Sequence, residues 1–90
     1  MAYLFVKHSV KDFNLWRTVY DSMADTKRAG GWLSGRVMRD SQNPNQVVVL
    51  EEYTTLEAAK AWAENPALRV AFGHAGVNGA PEISFLESIA

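Results

Sequence analysis

His8 is the residue of this 90-residue chain whose type and position most readily support chemistry. It lies near the end of an extended apolar run at Tyr3–Ser9, and an aromatic segment from Phe13 to Trp16 follows it. An imidazole with an ordinary pKa of about 6.5 exists in both protonation states near neutral pH. His8 can therefore serve as a general base or as a hydrogen-bond donor to a ligand. The alternative is a structural histidine that bonds the backbone at a strand end.

Aromatic side chains at helical spacing could form the walls of a pocket next to His8. Trp16 and Tyr20 lie one turn apart in the first helical region, and Trp62 and Phe72 lie in the second. Rings at this spacing are also ordinary core residues, so both interpretations stay open. A cavity with such walls would suit a flat aromatic ligand.

Two further cationic groups are candidates for a ligand pocket. Arg36 and Arg39 have opposite parity on a predicted strand, so only one of them can face a given cavity. Arg36 shares its predicted face with Trp32 and is the better candidate for an anion or a buried ion pair, with a place in an interface as the alternative. His74, near a helix end, can line the pocket or simply complement the helix dipole.

The remaining polar residues indicate neither a metal site nor a cofactor site. The two histidines are far apart in sequence, no third ligand stands at a recognisable spacing, and no H-E-x-x-H pattern occurs. Neither a G-x-G-x-x-G nor a Walker pattern is present. We expect Glu51, Glu52 and Glu87 to be solvated or paired with Lys and Arg across strands.

Composition and charge exclude several kinds of partner. Nine basic and ten acidic residues give a net charge of −1 without a run of like charges, so nucleic acid and anionic membranes are not expected partners. The third strand ends in acidic residues rather than in an RNA-binding pattern. No apolar stretch approaches the ~20 residues of a membrane span. Met1 precedes strand-like sequence rather than a leader, and cysteine is absent, so we expect a cytoplasmic protein.

The apolar periodicity predicts four strands and two helical regions in a single domain of residues 1–90. The predicted elements are a strand at 3–9, a helix at 12–29, strands at 32–39 and 46–53, a helix at 56–64, a shorter helix from Pro66 to Gly76, a loop at 76–81 and a strand at 82–87.

Local signals mark the ends of these elements. Asp12 is expected to cap the first helix, and Lys27 suits the negative end of its dipole. Thr54 and Glu57 have the spacing of a capping box at the start of the second helical region. Gly35 predicts a bulge or a close backbone approach within the second strand.

The order β-α-β-β-α-β predicts an α+β ferredoxin-like fold, with a four-stranded antiparallel sheet and both helical regions on one face. The helices cover one face of the sheet, yet the strands carry apolar residues on both faces. A second copy of the same sheet would cover the other face. We therefore expect a homodimer that forms a dimeric α/β barrel.

Three segments carry a resemblance to a known family. They are His8-x-Val10-x-Asp12-Phe13-x-x-Trp16, the Asn43–Leu50 hairpin, and the stretch from Asn65-Pro66 through Ala75-Gly76-Val77 to Pro81-Glu82. Over nearly its whole length the chain resembles the small dimeric α/β-barrel proteins grouped with antibiotic biosynthesis monooxygenases. The resemblance implies a cavity between sheet and helices. The superfamily includes cofactor-free oxygenases, haem-degrading enzymes, isomerases and polyketide cyclases.

The haem-degrading branch resembles this sequence less. Its members have an Asn on the first strand with a Trp and a His on the second helix, whereas here the first strand has Lys7 and His8. Trp62 and His74 are also separated by the Asn65-Pro66 break. A haem role is therefore not carried over to this chain.

Three functional hypotheses remain open. The first is a cofactor-independent monooxygenase acting on an aromatic or polyketide-like molecule, with His8 handling a proton. The second is a non-catalytic ligand-binding or sensing module, and the third is a structural dimer with no functional cavity. A polar-lined cavity that contains His8 would favour the first two hypotheses, whereas a His8 packed solidly against the backbone would contradict both.

Overall fold

The computed structural model describes residues 2–89 of the chain. Its strands alternate with paired helices in the predicted order. The elements are β1 (Ala2–Val10), α1 (Phe13–Ser22), α2 (Ala24–Ala29), β2 (Trp32–Arg39), β3 (Gln46–Tyr53), α3 (Leu56–Glu64), α4 (Pro66–Ala75) and β4 (Val77–Glu87).

The four strands form one antiparallel sheet in the order β2-β3-β1-β4. Chain neighbours β2 and β3 form the predicted hairpin, while the helices carry the chain across the sheet in the two longer connections. This arrangement confirms the α+β ferredoxin-like fold.

Strand parity assigns the residues of β1 and β3 to two faces. Leu4, Val6 and His8 of β1 are buried, as are Val47 and Val49 of β3, and these apolar side chains pack against the helices. The alternate positions of both strands are only half-buried or exposed. We call this second side the open face. The period-2 pattern therefore predicted correctly that His8 shares a face with Leu4 and Val6, and the structure shows that this face meets the helices.

The predicted helix at 12–29 is two helices. Asp12 caps α1 as expected, accepting hydrogen bonds from the backbone N–H groups of Asn14 and Leu15. Met23 then leaves helical geometry, with φ −95° and ψ 1°, and its N–H donates to the carbonyl of Tyr20 three residues back. The break ends α1 at Ser22, and α2 begins after Met23 as a separate helix.

Two further predictions of where elements begin differ from the structure. The cap of α3 is Thr55 rather than Thr54, since the Thr55 hydroxyl accepts from the backbone N–H of Ala58. The predicted loop at 76–81 is mostly strand. Val77 and Asn78 already pair with β1, and the residues up to Glu82 are accommodated by a register shift opposite Lys7–Ser9.

Candidate functional site

His8 lies in the middle of the molecule, on the helix-facing side of β1 opposite Val47. Its side chain is 4% exposed and packs between two aromatic rings. The imidazole meets Trp16 of α1 edge-on at 5.7 Å between ring centroids and Phe72 of α4 at 5.5 Å. Strand β1 fixes the backbone of His8, and residues of two different helices, α1 and α4, contact its ring.

Neither ring nitrogen of His8 has a hydrogen-bond partner within residues 2–89. Burial lowers the pKa of His8 from 6.5 to about 4, because the apolar surroundings disfavour the charged imidazolium. The ring is therefore neutral near pH 7, with one N–H donor and one acceptor nitrogen. Buried polar atoms without partners are rare, so these two nitrogens are candidate contacts for a bound molecule.

The lowered pKa of His8 also predicts how stability depends on pH. The unfolded chain takes up a proton near pH 6.5 and the folded chain only near pH 4, so stability is greatest above 6.5 and falls as the pH drops towards 4. The full loss is about 3 kcal/mol. Urea unfolding between pH 7.5 and 4 measures it. The His8→Phe variant, which lacks this group, should lose correspondingly less stability over the same pH range. Equal losses in the wild type and the variant would contradict the prediction.

A cavity of about 50 Å³ opens beside His8 between the sheet and the helices. Its walls are largely apolar and come from β1, β3 and the helices, and Trp16 and Tyr20 of α1 stack against each other at 5.0 Å between centroids. The lining residues include Leu4, Val6, His8, Trp16, Tyr20, Lys27, Val49, Glu51, Trp62, Leu68 and Phe72.

A buried ion pair lies at the other polar position of the cavity. The Lys27 ammonium of α2 donates to Glu51 Oε2 of β3 at 2.7 Å, and both side chains are at most 4% exposed. The Tyr20 hydroxyl donates to the same oxygen at 2.9 Å, and the Tyr53 hydroxyl donates to Glu51 Oε1 at 2.9 Å. The carboxylate is thus held by three donors.

Burial and the carboxylate set the protonation of this cluster. Burial, reinforced by the negative charge of Glu51, raises the pKa of Tyr20 and of Tyr53 well above their ordinary value, so both hydroxyls stay protonated. Burial lowers the pKa of Lys27, while the neighbouring Glu51 opposes that shift. Two neutral phenols and an ion pair are therefore the expected state near pH 7.

Because Gly35 has no side chain, it leaves the space that the Tyr20 hydroxyl occupies. A Cβ at this position of β2 would occupy the space of that hydroxyl and would press on the Trp32 ring at 3.3 Å. The predicted close approach at Gly35 is therefore present. The register shift of β2 lies earlier, between Trp32 and Ser34.

Comparison with known families identifies the chain. The family model for antibiotic biosynthesis monooxygenase matches residues 11–73, which is more than half of the chain. The chain belongs to the antibiotic biosynthesis monooxygenase family. A search of the curated proteins found no match.

Solved structures share the fold at low sequence identity. SnoaB, a cofactor-independent oxygenase from Streptomyces nogalater, has a TM-score of 0.79 at 13% identity, covering 99% of this chain and 93% of its own. Rv0793 from Mycobacterium tuberculosis has a TM-score of 0.73 at 14% identity, with 99% and 95% covered. A conserved protein from Methanosarcina mazei Go1 has a TM-score of 0.76 at 15% identity, with 98% and 92% covered.

The structure of this family member brings most of the sequence candidates together. Trp16, Tyr20, Trp62 and Phe72 all line the cavity that holds His8. His74 lies in the last turn of α4, where its side chain is exposed and does not line the cavity. Its position agrees with the dipole interpretation.

Arg36 was predicted to share a face with Trp32, and this is wrong. The register shift after Trp32 changes the parity of β2, so Trp32 packs against Lys27 on the helix side. Arg36 instead pairs with Leu50, is exposed, and points away from the cavity on the open face. It therefore cannot serve this site.

Glu51 and Lys27 are the cavity residues that sequence reasoning missed. Glu51 was expected to be solvated or paired across strands, and Lys27 to complement a helix end; both are instead buried in one ion pair. A signal for Glu51 existed, because it alternates with the buried residues Val47, Val49 and Tyr53. No comparable signal marked Lys27, which lies on α2, beyond the break at Met23.

Within residues 2–89 no helix is long and apolar enough to cross a membrane. The same residues contain no group of three or more His, Cys, Asp or Glu side chains arranged to hold a metal ion.

Proposed function

We propose that this protein binds a small hydroxylated aromatic or polyketide-like molecule in its cavity and oxygenates it without a cofactor, with His8 as the base. The observation that carries the proposal is the neutral, buried imidazole of His8, whose nitrogens lack partners within residues 2–89 and which lines an aromatic cavity. Membership of the monooxygenase family supports oxygen chemistry. The fold shared with a cofactor-independent oxygenase agrees with it.

The substrate 1-naphthol illustrates the reaction, and because it is larger than the cavity of about 50 Å³, the side chains around His8 must move apart to admit it. His8 takes the hydroxyl proton of 1-naphthol, and the naphtholate transfers one electron to dioxygen, because such a substrate is itself the reductant. The two radicals join at the ring carbon opposite the oxygen and form a peroxide, which the imidazolium protonates. His8 then removes the proton on that carbon as the O–O bond breaks. The products are 1,4-naphthoquinone and one water, from one naphthol and one dioxygen.

The low pKa of His8 is compatible with this role. A pKa of about 4 describes an imidazole among apolar rings, where the imidazolium has no counter-charge. A naphtholate formed beside the ring supplies that charge and raises the pKa of the imidazolium with which it pairs. The cavity thus favours proton transfer only when a suitable acid is bound, and it shields the anion from water.

Oxygen uptake tests the proposed activity. With 1-naphthol or 1,5-dihydroxynaphthalene, we expect the protein to consume one dioxygen per quinone formed, faster than the uncatalysed reaction. An oxygen electrode and the absorbance of the quinone measure both quantities. Binding of these probes without any oxygen uptake would contradict the proposed activity and favour the non-catalytic binding module.

We also propose that two copies join through the open face of the sheet. Phe5, Val48 and Leu50 lie on this face at its centre, with Met38 and Leu86 42% and 45% exposed beside them. Apolar area of this extent on one side of a sheet is typical of an interface. A second copy would complete the barrel and bury roughly 800 Å² on each partner.

Leu50→Lys should therefore convert the protein to monomers, because it places a charge in the middle of the proposed interface. Val70→Lys on α4 is the matched control, since Val70 is 60% exposed and lies on the helix layer. Light scattering at micromolar concentration measures the mass. Wild-type protein that runs as a ~10 kDa species would contradict the proposed dimer.

A further inference from the structure

The Lys27–Glu51 pair lines the same cavity as His8, yet proton transfer at His8 does not require it. Most of the acceptor capacity of the pair is engaged, because Glu51 accepts from Lys27, Tyr20 and Tyr53 and a carboxylate has about four acceptor positions. An ammonium has three N–H donors. Within residues 2–89, Lys27 makes one hydrogen bond, the one to Glu51. Among the described residues, the pair therefore has two free N–H donors on Lys27 to offer a ligand, against one free acceptor position on Glu51.

The other contacts of the Lys27 ammonium are with aromatic faces. Its nitrogen lies 3.7 Å from the centroid of the Tyr20 ring and 4.5 Å from that of Trp32. Such cation–π contacts are weaker than a hydrogen bond from an ammonium to an oxygen. A ligand oxygen could take a free donor without breaking the ion pair, since one N–H is enough to keep the bond to Glu51.

Lys27 and His8 stand at opposite ends of the cavity. Glu51 pairs with Leu4 on β1, and His8 lies four residues farther along that strand, so the backbone positions of Leu4 and His8 are about 13 Å apart. One aromatic wall connects the two ends. His8 contacts Trp16, Trp16 stacks on Tyr20, and the face of Tyr20 carries the Lys27 ammonium. Apolar side chains, Leu4 and Val6 among them, line the floor between.

We infer that Lys27 is a second ligand-binding residue, which donates a hydrogen bond to a carbonyl or hydroxyl oxygen at the end of the ligand remote from His8. This inference rests on the proposed function, in which the reacting hydroxyl lies at His8. It narrows the ligand to fused aromatic molecules that carry oxygen at both ends. A ligand without the second oxygen would gain no bond from Lys27.

Paired probes test this assignment. The compounds 1-naphthol and 1,5-dihydroxynaphthalene differ by one hydroxyl, and the diol is symmetric, so it presents an oxygen at each end in either orientation. Calorimetry without oxygen, which prevents turnover, should show that the wild-type protein binds the diol roughly 10- to 100-fold more tightly. Equal affinities for the two probes would overturn the inference.

The Lys27→Met/Glu51→Gln double variant removes the donor while leaving no charge without a partner. It should bind 1-naphthol within about threefold of wild type and retain less than a threefold preference for the diol, well below the roughly tenfold minimum expected of an ionic hydrogen bond. A preference that persists in the folded double variant would overturn the inference. If this variant does not fold, the ¹⁵Nζ resonance of Lys27 in wild-type protein decides. It should shift with the diol and not with 1-naphthol, and no shift with bound diol counts against the inference.

Failure of the proposed function gives a different result. A preference for the diol that depends on Lys27, but without oxygen uptake, would overturn the proposed activity and leave the Lys27 assignment standing. Oxygen uptake without any preference for the diol would do the reverse. No binding of either probe to wild-type protein would overturn both.

Discussion

Replacing Lys27 by Met is expected to lower the free energy of unfolding by about 3–5 kcal/mol. The substitution leaves the Glu51 carboxylate buried at 3% exposure without its counter-charge, and the hydroxyls of Tyr20 and Tyr53 cannot neutralise it. A domain of this size has a total stability of roughly 5–15 kcal/mol, so a large part of it would be lost. Urea unfolding at pH 7.5 measures the change.

Two comparisons separate the loss of the counter-charge from loss of contacts. The Lys27→Met/Glu51→Gln double variant should regain most of the stability, because replacing both members of a buried pair leaves no isolated charge. Arg17→Met is the exposed control. It removes the surface ion pair of Arg17 with Asp21, whose side chains are 46% and 57% exposed, and should cost well under 1 kcal/mol. A Lys27→Met variant as stable as wild type would show that Glu51 is not held charged by this lysine.

His8→Phe is expected to lower kcat/KM for 1-naphthol by about 10²- to 10⁴-fold, the range for losing a general base. The phenyl ring keeps the contacts with Trp16 and Phe72 but has no nitrogen to accept the proton. Oxygen uptake, followed from pH 4 to 8, is the measurement. In wild type the acid limb of kcat/KM should lie near the lowered pKa of His8, about 4, rather than near 6.5.

His74→Phe is the matched control for this prediction. It makes the same chemical change at an exposed position outside the cavity, so activity should stay within about twofold of wild type, as for a surface substitution far from the site. Circular dichroism confirms that both variants are folded. Equal turnover by wild type and a folded His8→Phe variant would rule out His8 as the base, whatever substrate is found.

Much of the fold and part of the site follow from local sequence patterns. The alternation of β1 placed His8 with Leu4 and Val6, and helical spacing placed Trp16 and Tyr20 on one side of α1. Asp12 and Asn65-Pro66 marked helix starts correctly. These features depend on neighbours a few residues apart, whose geometry the backbone fixes through periods of 2 and 3.6 residues.

Tertiary structure determined two features that the sequence did not: the Lys27–Glu51 ion pair in the cavity, and the face of the sheet on which Arg36 lies. The break at Met23 and the register shift after Trp32 have no strong local signal, since each depends on how a helix or a neighbouring strand packs. Beyond the break, α2 holds Lys27 against Glu51, 24 residues away in sequence, and after the register shift Arg36 lies on the open face. Sequence alone determined the order of strands and helical regions, the grouping of His8 with Leu4 and Val6 on one face of β1, and the aromatic residues beside His8. Only packing between distant elements determined which charges meet inside, because burying a charge is favourable only where a partner from elsewhere in the chain lies within reach.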